Sequence, residues 1–210
     1  MSKNFKITLI VILALLIAIN LFVLPKKENE AKEHDNTKAT LQKAEESTGK
    51  ALIGGEFELV NQDGKEFTSQ DIKGKYSLIF FGFTNCPMVC PTALNTLTLV
   101  LNQLGDKAKN FNTIFITTDP ERDTTTRIKE YLQAFDNSII GLTGTKGNLK
   151  QAYDAYRVYA KKVAAEDGGN NYDMNHSSII YVMDKNGEYL KHFTHSTDVD
   201  EIMAGLKKLK

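Results

Sequence analysis

A chain of 210 residues has room for one ordinary domain and an appendage. Its 41% hydrophobic content supplies a core, and its 26 basic residues balance 26 acidic ones, so net charge argues for neither a nucleic-acid nor an acidic partner. The two cysteines, Cys86 and Cys90, fall in one short motif, which excludes a disulfide-stapled scaffold and points to local chemistry.

The first 24 residues read as a single-pass membrane anchor. A short basic stretch precedes Ile7–Leu24, an apolar run of 18 residues whose only strongly polar member is Asn20. That length is at the short end of the roughly 17–25 residues that cross a bilayer. A core helix is disfavoured because the run is apolar on every face and a polar segment follows. A cleaved signal is disfavoured because Leu21-Phe22-Val23-Leu24-Pro25 lacks the small residues that cleavage requires. Lys3 and Lys6 precede the run while Lys26, Lys27 and Lys32 follow it, so the positive-inside rule alone would leave the C-terminal domain in the cytoplasm. Residues 25–50 are charged and poor in large apolar side chains, and read as a tether in which His34 is a solvated histidine.

From about residue 51 the pattern is that of a folded domain running to residue 210. Phe57–Val60 and Glu66–Thr68 flank a turn containing Asp63-Gly64 and predict a hairpin. Tyr76–Phe83 is a nearly continuous apolar run and predicts a buried central strand. Leu94, Leu97, Leu101 and Leu104 recur at helical spacing over Pro91–Gly105, and Thr113–Thr117 is a second buried strand. A helix over Thr124–Phe135, a strand over Ser138–Leu142 and a helix over Asn148–Tyr159 follow. Strands over Ser178–Met183 and Glu188–Phe193 are joined by Asp184-Lys185-Asn186-Gly187, and an amphipathic helix over Asp198–Lys210 turns Ile202, Leu206 and Leu209 inward. Alternating strands and helices with a terminal hairpin imply an α/β sandwich on a mixed sheet.

Cys86 and Cys90 lie where the central strand gives way to a helix. The expectation is that Cys86 is near the N-cap, with Pro87 at the first helical position, where a missing amide costs nothing. The free amides and dipole at a helix start stabilise anions, so both thiols are expected to be acidified. Two buried small hydrophobes would be the inert reading, and the flanking prolines argue against it. Two active readings stay open: thiol–disulfide exchange, which usually employs two intervening residues where this chain has three, and binding of a soft cation. Of the four histidines, His176 precedes a strand and is placed to face the cysteines, whereas His192 and His195 read as surface or strand-face residues.

Three segments in order, Phe81 through Pro91, Thr118-Asp119-Pro120-Glu121-Arg122-Asp123-Thr124, and His176-Ser177 followed by Ile180–Asp184, resemble the Sco/SenC family over roughly residues 51–210. The resemblance implies a thioredoxin-like sandwich with a mixed central sheet, preceded by one N-terminal transmembrane helix. It implies copper as the bound metal, with Cys86, Cys90 and His176 as ligands. Two thiolates and an imidazole favour Cu(I), and an open further position would admit Cu(II) or a partner's ligand. The implied role is assembly of the dinuclear copper centre of cytochrome c oxidase, with that subunit and other copper carriers as partners. The domain would then face the periplasm from the inner membrane, or the mitochondrial intermembrane space, against the lysine count after the anchor. The family usually has aspartate where this chain has Met88, a change that removes a negative charge and disfavours Cu(II); Met88 reads as an exposed apolar docking residue or as an additional soft sulfur. Asp119, Glu121, Arg122 and Asp123 read as helix capping by Asp123 plus a local ion pair, against a role in copper release. The principal alternative to a metallochaperone is a thiol–disulfide oxidoreductase that reduces a partner's copper-ligand cysteines. A peroxiredoxin-like peroxidase lacks its threonine and proline context here.

Overall fold

In the computed structural model, residues 53–164 and 172–209 are described. The anchor expected over residues 1–24, the tether over 25–50 and the first two residues of the domain lie outside them. Among the described residues, no helix is long and apolar enough to cross a membrane.

The expected hairpin is formed by β1 (Glu58–Asn61) and β2 (Glu66–Thr68). Its turn is closed by Asn61 Oδ1, which accepts from the amides of Asp63 and Lys65 at 3.0 Å each, with Gly64 at φ +78°. The central strand β3 (Tyr76–Gly82) pairs in parallel with β4 (Phe111–Thr117), which pairs in parallel with β5 (Ile139–Thr143). On its other side β3 pairs antiparallel with β8 (Ile179–Met183), which forms a hairpin with β9 (Tyr189–Thr194). The resulting seven-stranded mixed sheet has the order β2-β1-β5-β4-β3-β8-β9.

Strand alternation sends successive β3 side chains to opposite faces. Leu78 and Phe80 enter one core with Phe115, Ile180 and Val182. Against it pack α1 (Val89–Leu104), α2 (Thr125–Leu132) and α4 (Val199–Leu206). Ile79 and Phe81 enter the other core, which is covered by Leu149, Ala152 and Tyr156 of α3 (Lys146–Tyr156). A single 3-10 turn, Gly105–Asn110, joins α1 to β4. Each large apolar side chain fully buried here contributes about 1.5–3 kcal/mol relative to exposure. Phe80, Phe81, Leu94, Leu97 and Phe115 are all fully buried, so the β3–α1 junction that carries the cysteines stands on a closed core.

Three of the departures from the sequence expectation have local reasons. Helix α1 begins at Val89 with Met88 as its N-cap, so Cys86 and Pro87 precede it, and Pro91 occupies the third helical position, where the absent amide is equally harmless. Helix α2 is capped by Thr124, whose Oγ1 accepts from the Arg127 amide at 3.2 Å, and not by Asp123. A separate two-stranded ribbon, β6 (Ala160–Ala164) and β7 (Tyr172–His176), was not legible in the sequence. Strand β6 is nearly all exposed, and the inward set of β7, Tyr172, Met174 and His176, is only half-buried and mixed in polarity, so the alternation is too short and too weakly apolar to read as a strand.

Candidate metal centre

The chain leaves β3 at Gly82 and turns, with the Cys86 amide donating to the Phe83 carbonyl at 3.2 Å, before entering α1. This turn is tied down from beneath. Asp123 is fully buried and accepts from the Thr84 amide at 3.0 Å, the Thr84 hydroxyl at 2.6 Å and the Thr117 hydroxyl at 2.6 Å. Burial pushes the Asp123 carboxyl up from its ordinary value, against the pull of those donors. The cap expected of Asp123 is therefore corrected: it fastens the cysteine turn to β4.

Cys86 is half-buried, while Cys90, at the second position of α1, is fully buried. The Cys90 amide, one of those with no intrahelical partner, donates to Cys86 Sγ at 3.4 Å. The Cys90 thiol, first of all, and the amides of Cys90 and Met88 hold the Cys86 thiol down at about 4, against the opposing effect of burial. Cys90 goes the other way, because its thiol donates to the Cys86 sulfur and because it is buried. The expectation that both thiols are acidified is thus corrected to one thiolate and one thiol. A single proton shared between two adjacent sulfurs cannot be lost from both at once. In the reduced, metal-free protein, the alkylation rate of Cys86 should stay flat as pH falls from alkaline values and drop only as pH approaches about 4. A midpoint near the ordinary thiol value of about 8.5 would show that neither the Cys90 thiol nor the helix-start amides act on it.

His176 ends β7 directly opposite this turn. Its ring meets Phe83 edge-on at 5.6 Å between centroids and Phe80 at 6.5 Å. Nδ1 lies 3.0 Å from the Ser177 carbonyl, which can only accept, so the proton is on Nδ1 and Nε2 carries the lone pair. Nε2 points at Cys90 Sγ, 3.7 Å away. One carbonyl thus orients the imidazole and sets its tautomer, as happens to histidines that ligate metals. An open cleft of about 240 Å³ is walled by Cys86, Pro87 and Met88 on one side and by Met174, Asn175 and His176 on the other.

The donor set here, the Cys86 sulfur and His176 Nε2 on the cleft wall with the Cys90 sulfur buried beneath them, suits a soft cation. Among the described residues, no group of three or more His, Cys, Asp or Glu side chains stands ready-made around a metal position. The Cys90 thiol still occupies the space between its neighbours with a hydrogen bond, and a metal would take that proton's place. Met88 is 69% exposed at the rim. His192 is exposed and hydrogen-bonded to the Tyr189 hydroxyl at 2.6 Å, and His195 follows β9, so neither joins the cleft.

The model of the family described as SCO1/SenC matches residues 45–210. The chain belongs to the SCO1/SenC family. It is 45% identical over 155 residues to an SCO2-like protein of Rickettsia felis, covering 74% of this chain and 76% of that one. It is 41% identical over 164 residues to the mitochondrial protein SCO1 of Saccharomyces cerevisiae, covering 76% of this chain and 56% of that one. The structure of Bradyrhizobium japonicum ScoI with copper bound is similar at a TM-score of 0.70 and 43% identity, over 75% of this chain and 99% of that one. The mixed sheet flanked by helices is accordingly the thioredoxin-like sandwich that the resemblance implied.

The sequence reading missed two structural partners of the SCO1/SenC site: Asp123 under the cysteine turn and Arg122 beside the histidine strand. Arg122 Nε pairs with Asp119 Oδ2, the local ion pair that was expected, but its guanidinium also reaches the Tyr172 carbonyl at 2.9 Å. The only sequence signal for either was the dense run of charges from Asp119 to Asp123.

Proposed function

We propose that the protein is a copper chaperone that binds copper through Cys86, Cys90 and His176 and helps to assemble the copper centre of cytochrome c oxidase. The observation that carries this reading is the approach of His176 Nε2, lone pair outward, to Cys90 Sγ at 3.7 Å beside the Cys86 thiolate. Thiolate and imidazole donors favour Cu(I). A cleft open on one side lets a partner's ligands replace these one at a time, which suits release of cargo. The family relationship and the copper-bound relative at 43% identity support copper over zinc. The same reading has the apolar segment over residues 7–24 anchoring the chain in the inner membrane. The domain then faces the periplasm or the mitochondrial intermembrane space, with the copper-bearing oxidase subunit and other copper carriers as its partners.

A second reading, thiol–disulfide exchange with a partner's copper-ligand cysteines, is favoured by the inequality of the two thiols. An accessible thiolate at Cys86 would attack a partner disulfide, and the protonated, buried Cys90 would then resolve the mixed disulfide. The products are a disulfide here and two thiols on the partner.

The two readings separate at His176. The His176→Ala protein should lose Cu(I) affinity by at least about tenfold, the scale seen for lost metal-site partners, while still forming a Cys86–Cys90 disulfide on oxidation. Unchanged copper affinity in that variant would refute the ligand assignment. Unchanged thiol reductase activity would favour the exchange reading.

A further inference from the structure

We propose that Arg122 is the positioning residue that sets the His176-bearing strand against the cysteine turn; the proposal rests on the reading of His176 as a copper ligand. The strand that carries His176 belongs to β6–β7, a two-stranded ribbon outside the main sheet with no fully buried residue. A ribbon of that kind is marginally stable by itself. The Ser177 amide on the Tyr159 carbonyl at 3.0 Å and the Tyr159 amide on Ser177 Oγ at 3.1 Å close only the base of the ribbon on itself.

Met174 and the His176 ring pack against the core, and the ribbon's polar grip on the body of the domain comes from the turn after β4. Arg122 Nη1 donates to the Tyr172 carbonyl at 2.9 Å, and the guanidinium carbon lies 3.8 Å from the centroid of the Tyr172 ring. The Tyr172 hydroxyl donates to Asp119 Oδ1 at 2.8 Å, and Asp119 Oδ2 takes Arg122 Nε, so the carboxylate fixes ring and guanidinium together. Lys162 from β6 lies 3.6 Å from the same ring centroid and pairs with Glu121 at 2.8 Å. The first residue of β7 and one residue of β6 are thereby held by Asp119, Glu121 and Arg122.

From there the contact chain leads to the histidine. The Arg122 guanidinium lies 5.9 Å from the Phe83 centroid, and Phe83 meets the His176 ring edge-on at 5.6 Å. Tyr172 and His176 are the two ends of one strand, roughly 13 Å apart at about 3.3 Å per residue. Arg122 thus fixes one end of the strand directly and lies behind the ring that abuts the other. Its Nη2 is buried with no hydrogen-bond partner, so the stack between Tyr172 and Phe83, and not the pairing of every donor, dictates where the group sits. The role calls for arginine: a planar fork stacks on a ring and reaches a carboxylate and a carbonyl at once, which a lysine ammonium does not.

The test is a double-mutant cycle on the full-length protein in detergent, reading Cu(I) affinity by competition with a chromogenic chelator. Arg122→Leu should weaken binding by about tenfold in the wild-type background, as loss of a ligand-orienting contact does, and by less than about twofold in the His176→Ala background. Equal losses in both backgrounds, or none in either, would overturn the proposal. The metal-free protein supplies a second readout: the His176 ring resonances should shift in Arg122→Leu. If His176→Ala alone leaves affinity unchanged, the ligand reading fails, and the ring resonances then decide the positioning role, with unshifted signals overturning it. Should Arg122→Leu not fold, Tyr172→Leu removes the ring under the guanidinium, leaves the charge paired with Asp119, and runs through the same cycle.

Discussion

Replacing Asp123 with alanine should destabilise the domain by roughly 3–5 kcal/mol, because three donors lose their acceptor in a dry site. The Thr84 and Thr117 hydroxyls can rotate in search of other partners, but the Thr84 amide is fixed by the backbone and is stranded. The Asp123 carbonyl still accepts from Thr143 Oγ1 at 2.9 Å in the variant, so the loss belongs to the side chain. Asp123→Asn keeps one acceptor oxygen but turns an amino group toward these donors, and should fall between. The two substitutions also differ from the parent in pH dependence. Burial raises the folded pKa of Asp123 above its unfolded value, so the proton is bound more tightly in the folded state. The stability this contributes is fully present below the unfolded pKa and is lost as pH rises through the raised folded value. Wild type carries that slope and Asp123→Asn does not, so the asparagine variant should lose more stability at acid pH than at neutral pH. Denaturant unfolding across that window measures both statements, and a loss independent of pH would remove the raised carboxyl from the account. Because Thr84 lies two residues before Cys86, the same variants report how far the cysteine turn depends on its support.

Much of the domain was legible because its elements are locally self-consistent. The apolar run at Tyr76–Phe83 has no reading other than a buried strand, and the turn at Asp184–Gly187 announces the β8–β9 hairpin with Gly187 at φ +81°. The ribbon that carries His176 was not legible, because the contacts that hold it are made by Arg122 and Glu121, 50 and 41 positions away from Tyr172 and Lys162. Asp123 was misassigned for a similar reason. Asp123 and Thr124 are both good capping residues side by side, and only the buried Thr84–Thr117 pair decides which of them turns inward. The dissimilarity of the two thiols was also beyond the sequence: motif spacing puts both near a helix start, but the turn at Phe83–Cys86 leaves one sulfur in the cleft and the other beneath it. The family itself was legible from three ordered motifs, whereas the anchor and tether fall outside the described residues.

The Gly82→Ala variant should couple the packing of the sheet to the metal site directly. A Cβ at Gly82 would stand 2.8 Å from Cys90 Sγ and 2.9 Å from both Phe115 Cε2 and Phe80 Cε1. Neither phenylalanine has room to retreat, since both are fully buried between the sheet and α1. The movable group is therefore the start of α1, and the methyl must drive Cys90 away from β3 and so out of its 3.7 Å approach to His176 Nε2. Overpacking of this kind costs about 1–3 kcal/mol, and displacement of one sulfur from the ligand set should weaken Cu(I) binding by about tenfold, as misorientation of metal ligands does. Gly147→Ala is the matched control, because a Cβ there meets only Thr145 Oγ1 at 3.8 Å on α3. At the second position of the helix it should stabilise by less than the roughly 0.5–1 kcal/mol of a mid-helix site and leave copper affinity at the wild-type value. Chelator competition and thermal unfolding on the two variants separate a general loss of stability from a displaced ligand. If Gly82→Ala unfolds more easily yet binds copper as wild type does, the position of Cys90 is set by the metal and not by the strand beneath it.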